Sequence, residues 1–179
     1  MIFETPFDEK TYEEQVKLNF GEVWKNNVQK HRKILLLSIG GMLYGLFIVF
    51  RKDNIGFIIF GIGLHYFINF LNHYFFYKKN KKKYFNLTQN EIVNENKVKQ
   101  NTVWNFNQDF FGMKNYKYDV KIKWEAFCSY RIIENHLFLD IEPKTGYSYI
   151  IGKKEIGAEN FDKVLALVKE NISLEIQSI

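Results

Sequence analysis

The sequence predicts an α+β chain: a transmembrane helical hairpin, then an antiparallel β barrel or sandwich capped by a C-terminal helix. Three observations carry that expectation. Two uncharged apolar runs, 34–50 and 55–77, stand four residues apart. Beyond residue 100, apolar and polar side chains alternate with the period of half-buried strands. The last segment instead spaces Phe161, Val164, Leu165, Val168 and Ile172 along one helical stripe, with Lys163, Lys169 and Glu170 off it.

The chain begins with IFETPF, which reads as a short strand. Thr11-Tyr12-Glu13-Glu14 then fits a capping box, in which the threonine hydroxyl and the N3 glutamate satisfy each other's end groups. Tyr12, Val16, Phe20, Val23, Trp24 and Val28 follow at helical spacing and carry the helix toward the first apolar run. Residues 1–33 are therefore expected to form a strand and an amphipathic helix.

A hydrocarbon core about 30 Å thick takes roughly 20 helical residues to cross. The second run has 23 residues and the first 17, a shortfall that snorkelling by Arg51 and Lys52 offsets. Residues 34–77 thus read as a two-helix membrane hairpin turning at 51–54. The alternative, two buried helices in a soluble protein, is a poor fit for 179 residues, which rarely bury so long an apolar stretch. The mean hydropathy of −0.27 averages the spans with a larger polar remainder.

Charge orients the hairpin. Residues 1–24 are net acidic and residues 84–179 nearly neutral, so the net +5 lies beside the spans. Lys25, Lys30, Arg32 and Lys33 precede the first span, and Lys78, Lys79, Lys81, Lys82 and Lys83 follow the second; the connector holds only Arg51 and Lys52 as bases. The positive-inside rule places both termini in the cytoplasm. The lysines of the 78–83 linker serve as a stop-transfer and topology signal and also suit anionic lipid head groups. The near-neutral remainder does not suggest the basic face that a nucleic-acid binder needs. No cleavable signal peptide is read from the acidic N-terminal stretch.

Inside the spans, Gly41 and Gly45 make a GxxxG step suited to close helix packing, and Gly61 and Gly63 give the second span small positions. His65, Asn69, Asn72 and His73 fall on one helix face. Polar groups in lipid face protein or water. Interhelical hydrogen bonding, within the hairpin or between copies, is one reading; a functional lining is the other. His65 and His73 are about 12 Å apart along the axis, too far to share a metal within one helix.

In the remainder, Tyr118, Val120, Ile122 and Trp124 alternate with Asp119, Lys121 and Lys123, and should face a core. Leu137, Leu139 and Ile141 alternate with Asp140 and Glu142, which are expected to share a solvent face. Residues 129–133 and 147–151 read as further strands, and 84–88, 91–95 and 103–112 as weaker ones. Pro143-Lys144-Thr145-Gly146 reads as a turn. Six or seven strands and a closing helix are the layout of pleckstrin-homology-like domains, expected here for residues 84–179. The lone Cys128 excludes an intrachain disulfide and any CxxC motif, and reads as a small core residue.

The stretch from Asp119 to Asn171, with Lys-Ile-Lys-Trp-Glu at 121–125, the step Trp124-Glu125 and Tyr149-Ile150-Ile151-Gly152-Lys153-Lys154, resembles the bacterial YcxB-like membrane proteins. A proline expected near Gly152 is absent. The resemblance implies a two-span hairpin that tethers a pleckstrin-homology-like domain at the inner face of the bacterial cytoplasmic membrane. It lends no catalytic residues.

No Walker loop, GxSxG or HExxH appears, so the sequence points away from an enzyme and implies neither cofactor nor metal. The expected function is a membrane-anchored binding or scaffold protein. Its partners would be membrane lipids and a cytoplasmic protein or a second copy, leaving a homo-oligomer open. The alternative is a small intramembrane transporter or sensor subunit that uses His65, Asn69 and Asn72.

Overall fold

The computed structural model describes residues 1–141 and 147–173. The order is β1 (Ile2–Thr5), α1 (Glu9–Phe50), α2 (Ile55–Val98), β2 (Thr102–Phe106), β3 (Phe110–Lys114), β4 (Asp119–Lys123), β5 (Ser129–Ile133), β6 (His136–Asp140), β7 (Ser148–Gly152), α3 (Lys153–Ile156) and α4 (Ala158–Asn171). The fold is α+β: two long apolar helices, antiparallel sheets and a C-terminal helix. Two compact units divide the chain. One takes Met1–Val23 with Leu87–Ile179, the other Trp24–Asn86.

In the first unit the strands form two antiparallel sheets, ordered β1-β2-β3-β4 and β5-β6-β7. The first sheet includes β1, from outside the 84–179 stretch expected to hold all the strands of the pleckstrin-homology-like layout. The sheets are not closed into a barrel and are sandwich-like. Between them lie Trp104, Phe106, Phe111, Trp124, Phe127, Leu137, Leu139 and Ile151, and α4 adds Phe161, Val164 and Val168. The expected α4 stripe is the buried one.

IFETPF supplies β1, which pairs with β2 in the register Ile2↔Asn105 to Thr5↔Thr102. The apolar hairpin is thus an insertion, in sequence, between two neighbouring strands of one sheet. Thr5 Oγ1 accepts a 3.0 Å hydrogen bond from buried Trp104 Nε1.

Two asparagines set the strand breaks. Asn107 Oδ1 accepts from the Asp109 and Phe110 amides, at 2.9 and 2.8 Å, and turns β2 into β3. Asn115 Oδ1 accepts from the Lys117 and Tyr118 amides and turns β3 into β4. Such Asx turns replace a backbone turn bond with a side-chain one. The weak strand expected over 103–112 is therefore two strands. Tyr118 sits in the second turn, 49% exposed, instead of facing the core. Trp124 is buried as expected, in a 3-10 turn after β4 that is tied by Nε1 to Asn107 O.

Three further expectations are corrected. The α1 cap is Asp8, whose Oδ2 accepts the Thr11 amide at 2.9 Å; Thr11 is already in the first turn. The stretches 84–88 and 91–95 are not strands, because α2 continues through 78–83 to Val98. Its buried positions there, Thr88, Ile92 and Glu95, have helical spacing but include two polar residues. On the adjoining side of α2, Gln89 donates to Glu13 and Asn96 to Glu9 of α1. Finally, Asp140 is 3% exposed, not on a solvent face. Every residue of β6 is buried. Leu137 and Leu139 face the core, while on the other face Arg131 lies over Phe138 and pairs with Asp140, and Glu22 of α1 approaches Arg131 at 3.9 Å. Glu142 and the Pro143–Gly146 turn lie outside the described residues.

Candidate functional site

The unit Trp24–Asn86 holds the apolar hairpin. Arg51 and Lys52 make the turn, with Lys52 at a φ of 64°, and Asp53 Oδ1 caps α2 by accepting the Ile55 amide. Small residues bring the helices together. A Cβ added at Gly45 would lie 2.5 Å from Phe60 N, and one at Gly63 would lie 2.8 Å from Met42 N. At Gly41 it would meet Gly63 Cα at 3.6 Å. Gly41 and Gly45 therefore sit in the seam, as does Gly63. Gly61 has open space beside it and takes no part. Ser38 is buried in the seam and donates its hydroxyl to Leu35 O at 2.8 Å.

The outer surface of the hairpin is apolar. Leu36, Leu37, Leu43, Phe47 and Phe50 of α1 are each more than half exposed, as are Ile55, Phe57, Ile58 and Phe75 of α2. Only 11% of the most apolar window of either helix is buried. Helices in a soluble core would bury this surface, and an exposed apolar area of this kind marks contact with lipid or another protein.

The polar residues of the second span divide. His65, Asn69 and Asn72 are exposed on the outside of the hairpin. They do not join α2 to α1. His65 Nε2 accepts from Asn69 Nδ2 at 3.0 Å, one helical turn on. His73 turns inward and stacks on His31, with ring centroids 3.3 Å apart and planes 18° from parallel. Trp24 packs against His73 and Tyr77 at 6.2 and 5.2 Å. No sequence pattern signals the histidine stack, because His31 precedes the apolar run and lies 42 residues from its partner.

Lys78, Lys79, Lys81, Lys82 and Lys83 are all exposed. They continue α2, and at steps of about 100° per residue they cover roughly 200° of the helix surface, with Asn80 in the remaining sector. Lys78 Nζ lies 5.1 Å from the centre of the Tyr74 ring. The lysines form a charged band on one broad side of the helix at the end of the apolar stretch.

In the β unit two clusters were not legible in the sequence. Arg131 forms a bidentate pair with Asp140, Nε to Oδ2 at 2.7 Å and Nη2 to Oδ1 at 2.8 Å. Ser129 and Ser148 donate to the same carboxylate. In the second cluster, Glu155 Oε2 accepts from Gly152 N at 2.6 Å and from Gln15 Nε2 at 2.5 Å. Next to it His136 is 6% exposed, with Nδ1 buried and unpartnered. Burial holds its imidazole below the ordinary value, while Glu14 and Glu134 act weakly the other way.

Burial pushes the Glu155 carboxyl above its ordinary value, against the opposing effect of those two hydrogen bonds. The folded protein therefore holds this proton more tightly than the unfolded chain. Its contribution to stability is present below about pH 4.5 and is lost as pH rises through the folded value. Glu155→Gln is expected to flatten that loss. Melting curves at pH 5 and pH 8 should show a smaller pH-dependent drop than in the parent; identical drops would mean that Glu155 does not set the pH dependence.

Among the described residues β1, β4, β5 and β7 are the terminal strands of the two sheets. β1 and β4 end the four-stranded sheet, and β4 alternates exposed Asp119, Lys121 and Lys123 with half-buried Val120 and Ile122. Lys114 pairs with Asp119 at 3.0 Å, and Lys121 lies over the Phe110 ring. Comparison with protein-family models, with curated proteins and with solved structures finds no match.

Proposed function

We propose that the chain is a membrane-anchored binding protein of the YcxB-like kind. Its hairpin crosses the bacterial cytoplasmic membrane twice, and its β unit is offered to a cytoplasmic protein partner close to the inner surface. The observation that carries this reading is the apolar exterior of the hairpin, 11% buried over each span and bounded by lysine-rich ends. Pairing of β1 with β2 supports an even number of crossings, since the segments before and after the hairpin share one sheet. The excess of Lys and Arg on the outer flanks supports a cytoplasmic location for both termini.

The partner surface in this proposal is the free edge of β4. Strand addition supplies main-chain hydrogen bonds, and the alternating side chains select the guest. Lys121 and Lys123 favour an acidic extended segment. Lysines on an edge also prevent indiscriminate pairing, so the guest must offset their charge. Binding, not catalysis, is the proposed role.

A photoreactive side chain at position 121 of the full chain, activated in intact cells, is expected to give a discrete protein adduct. Lys123→Glu should reduce that adduct about tenfold, while the chain stays in the membrane fraction after an alkaline wash. An adduct indifferent to charge at 123 would sink the edge-binding role. Recovery of the chain in the wash would sink the anchor itself.

A further inference from the structure

The outer face of α2 carries a seven-residue pattern directed away from α1. Ile58, Gly61, His65, Ile68, Asn72 and Phe75 follow one another at steps of three and four. Ile58, Ile68 and Phe75 are 64%, 49% and 63% exposed, and Gly61, His65 and Asn72 are exposed with them. Gly45, Gly56 and Gly63, by contrast, mark the seam with α1 on the opposite side. The two surfaces are thus separate, and the intrachain one is already filled.

We infer that this face is a homodimer seam, in which α2 packs in parallel on α2 of a second copy across a two-fold axis normal to the membrane. Steps of three and four are the a/d spacing of a left-handed helix pair. His65 and Asn72 then occupy successive a positions, about 10.5 Å apart along the axis. Copies inserted in the same direction present these residues to their own counterparts.

The chemistry is self-complementary, which selects a second copy as the occupant. An asparagine amide both donates and accepts, so Asn72 satisfies Asn72. His65 accepts from Asn69 at Nε2, which leaves the proton on Nδ1 as a donor and Asn69 Oδ1 as an acceptor. Each copy therefore offers both halves of the same exchange. Left facing hydrocarbon, these groups have no partner. The outer face of α1 lacks this pattern: Ser38 is buried and bonded within its own helix. Gly61, with open space beside it, lets the paired helices approach closely near the outer end of the seam.

The inference rests on the membrane reading and not on the β4 edge. It is tested in the full chain, in native membranes, with Cys128→Ser as the parent. Ile58→Cys, Ile68→Cys and Phe75→Cys are each expected to give oxidised dimer at least fivefold above Leu37→Cys and Leu43→Cys on the outer face of α1. His65→Leu combined with Asn72→Leu places apolar groups in lipid-facing positions, so it leaves the hairpin intact. It should lower the dimer yield at position 68 about tenfold, whereas Asn72→Gln alone should retain it. Equal crosslinking on both helices, or a yield unchanged by the double leucine variant, would overturn the seam. Release of the chain by an alkaline wash would overturn the membrane reading and the seam together, and is read separately from crosslinking.

Discussion

Arg131→Met is expected to destabilise the β unit by about 3–5 kcal/mol, the usual consequence of leaving one member of a buried ion pair without its partner. Asp140 is 5% exposed and Arg131 16% exposed at the side chain, so water cannot take over the lost hydrogen bonds. In thermal melts followed by Trp104 and Trp124 fluorescence, the midpoint should fall by roughly 10 °C for a chain of this size. Arg131→Lys should fall between variant and parent, since one ammonium cannot reproduce the two-point contact. Adding Asp140→Leu to Arg131→Met should restore part of the loss, because an uncharged pair needs no compensation. Recovery stays incomplete, as Ser129 and Ser148 then lose their shared acceptor. A melt of Arg131→Met within about 1 °C of the parent would show that this strand face does not depend on the ion pair.

The hairpin seam carries the second large effect. Gly45→Ala places a methyl group 2.5 Å from one backbone atom and 2.8 Å from another, neither of which can move without its helix. Overpacking of this kind costs about 1–3 kcal/mol. Gly40→Ala is the control, since nothing lies within 4 Å of its added Cβ. There the better helix propensity of alanine should stabilise by about 0.5–1 kcal/mol. Opposite signs at two glycines five residues apart, measured as detergent-solubilised melting midpoints, test the seam independently of any partner. Equal effects at both positions would place the helix contact elsewhere.

What the sequence made legible was governed by periodicity. The α4 stripe and the alternation of β4 emerge because each turns its apolar side inward, so polarity marks the other. β6 broke that rule. Asp140 alternates with Leu137 and Leu139, but its side of the strand is buried too, because Arg131 lies over Phe138 and pairs with Asp140 there. The extension of α2 beyond Lys83 was missed for a related reason. Thr88 and Glu95 are among its buried positions, so no apolar stripe announces the helix. The polar face of the second span was visible as a face, but its direction was not. Only the positions of the glycines in space show that His65, Asn69 and Asn72 look away from α1.

β1 leaves the ribosome long before the strand it pairs with. Thr5 waits for Thr102, with both apolar helices made in between. The four-stranded sheet can close only after both helices have been synthesised. Should the leading segment be carried across the bilayer, β2 would be left with an unclaimed flank and no way to recover its neighbour. Under the membrane proposal, completion of the β unit would therefore depend on both helices having been inserted as a pair.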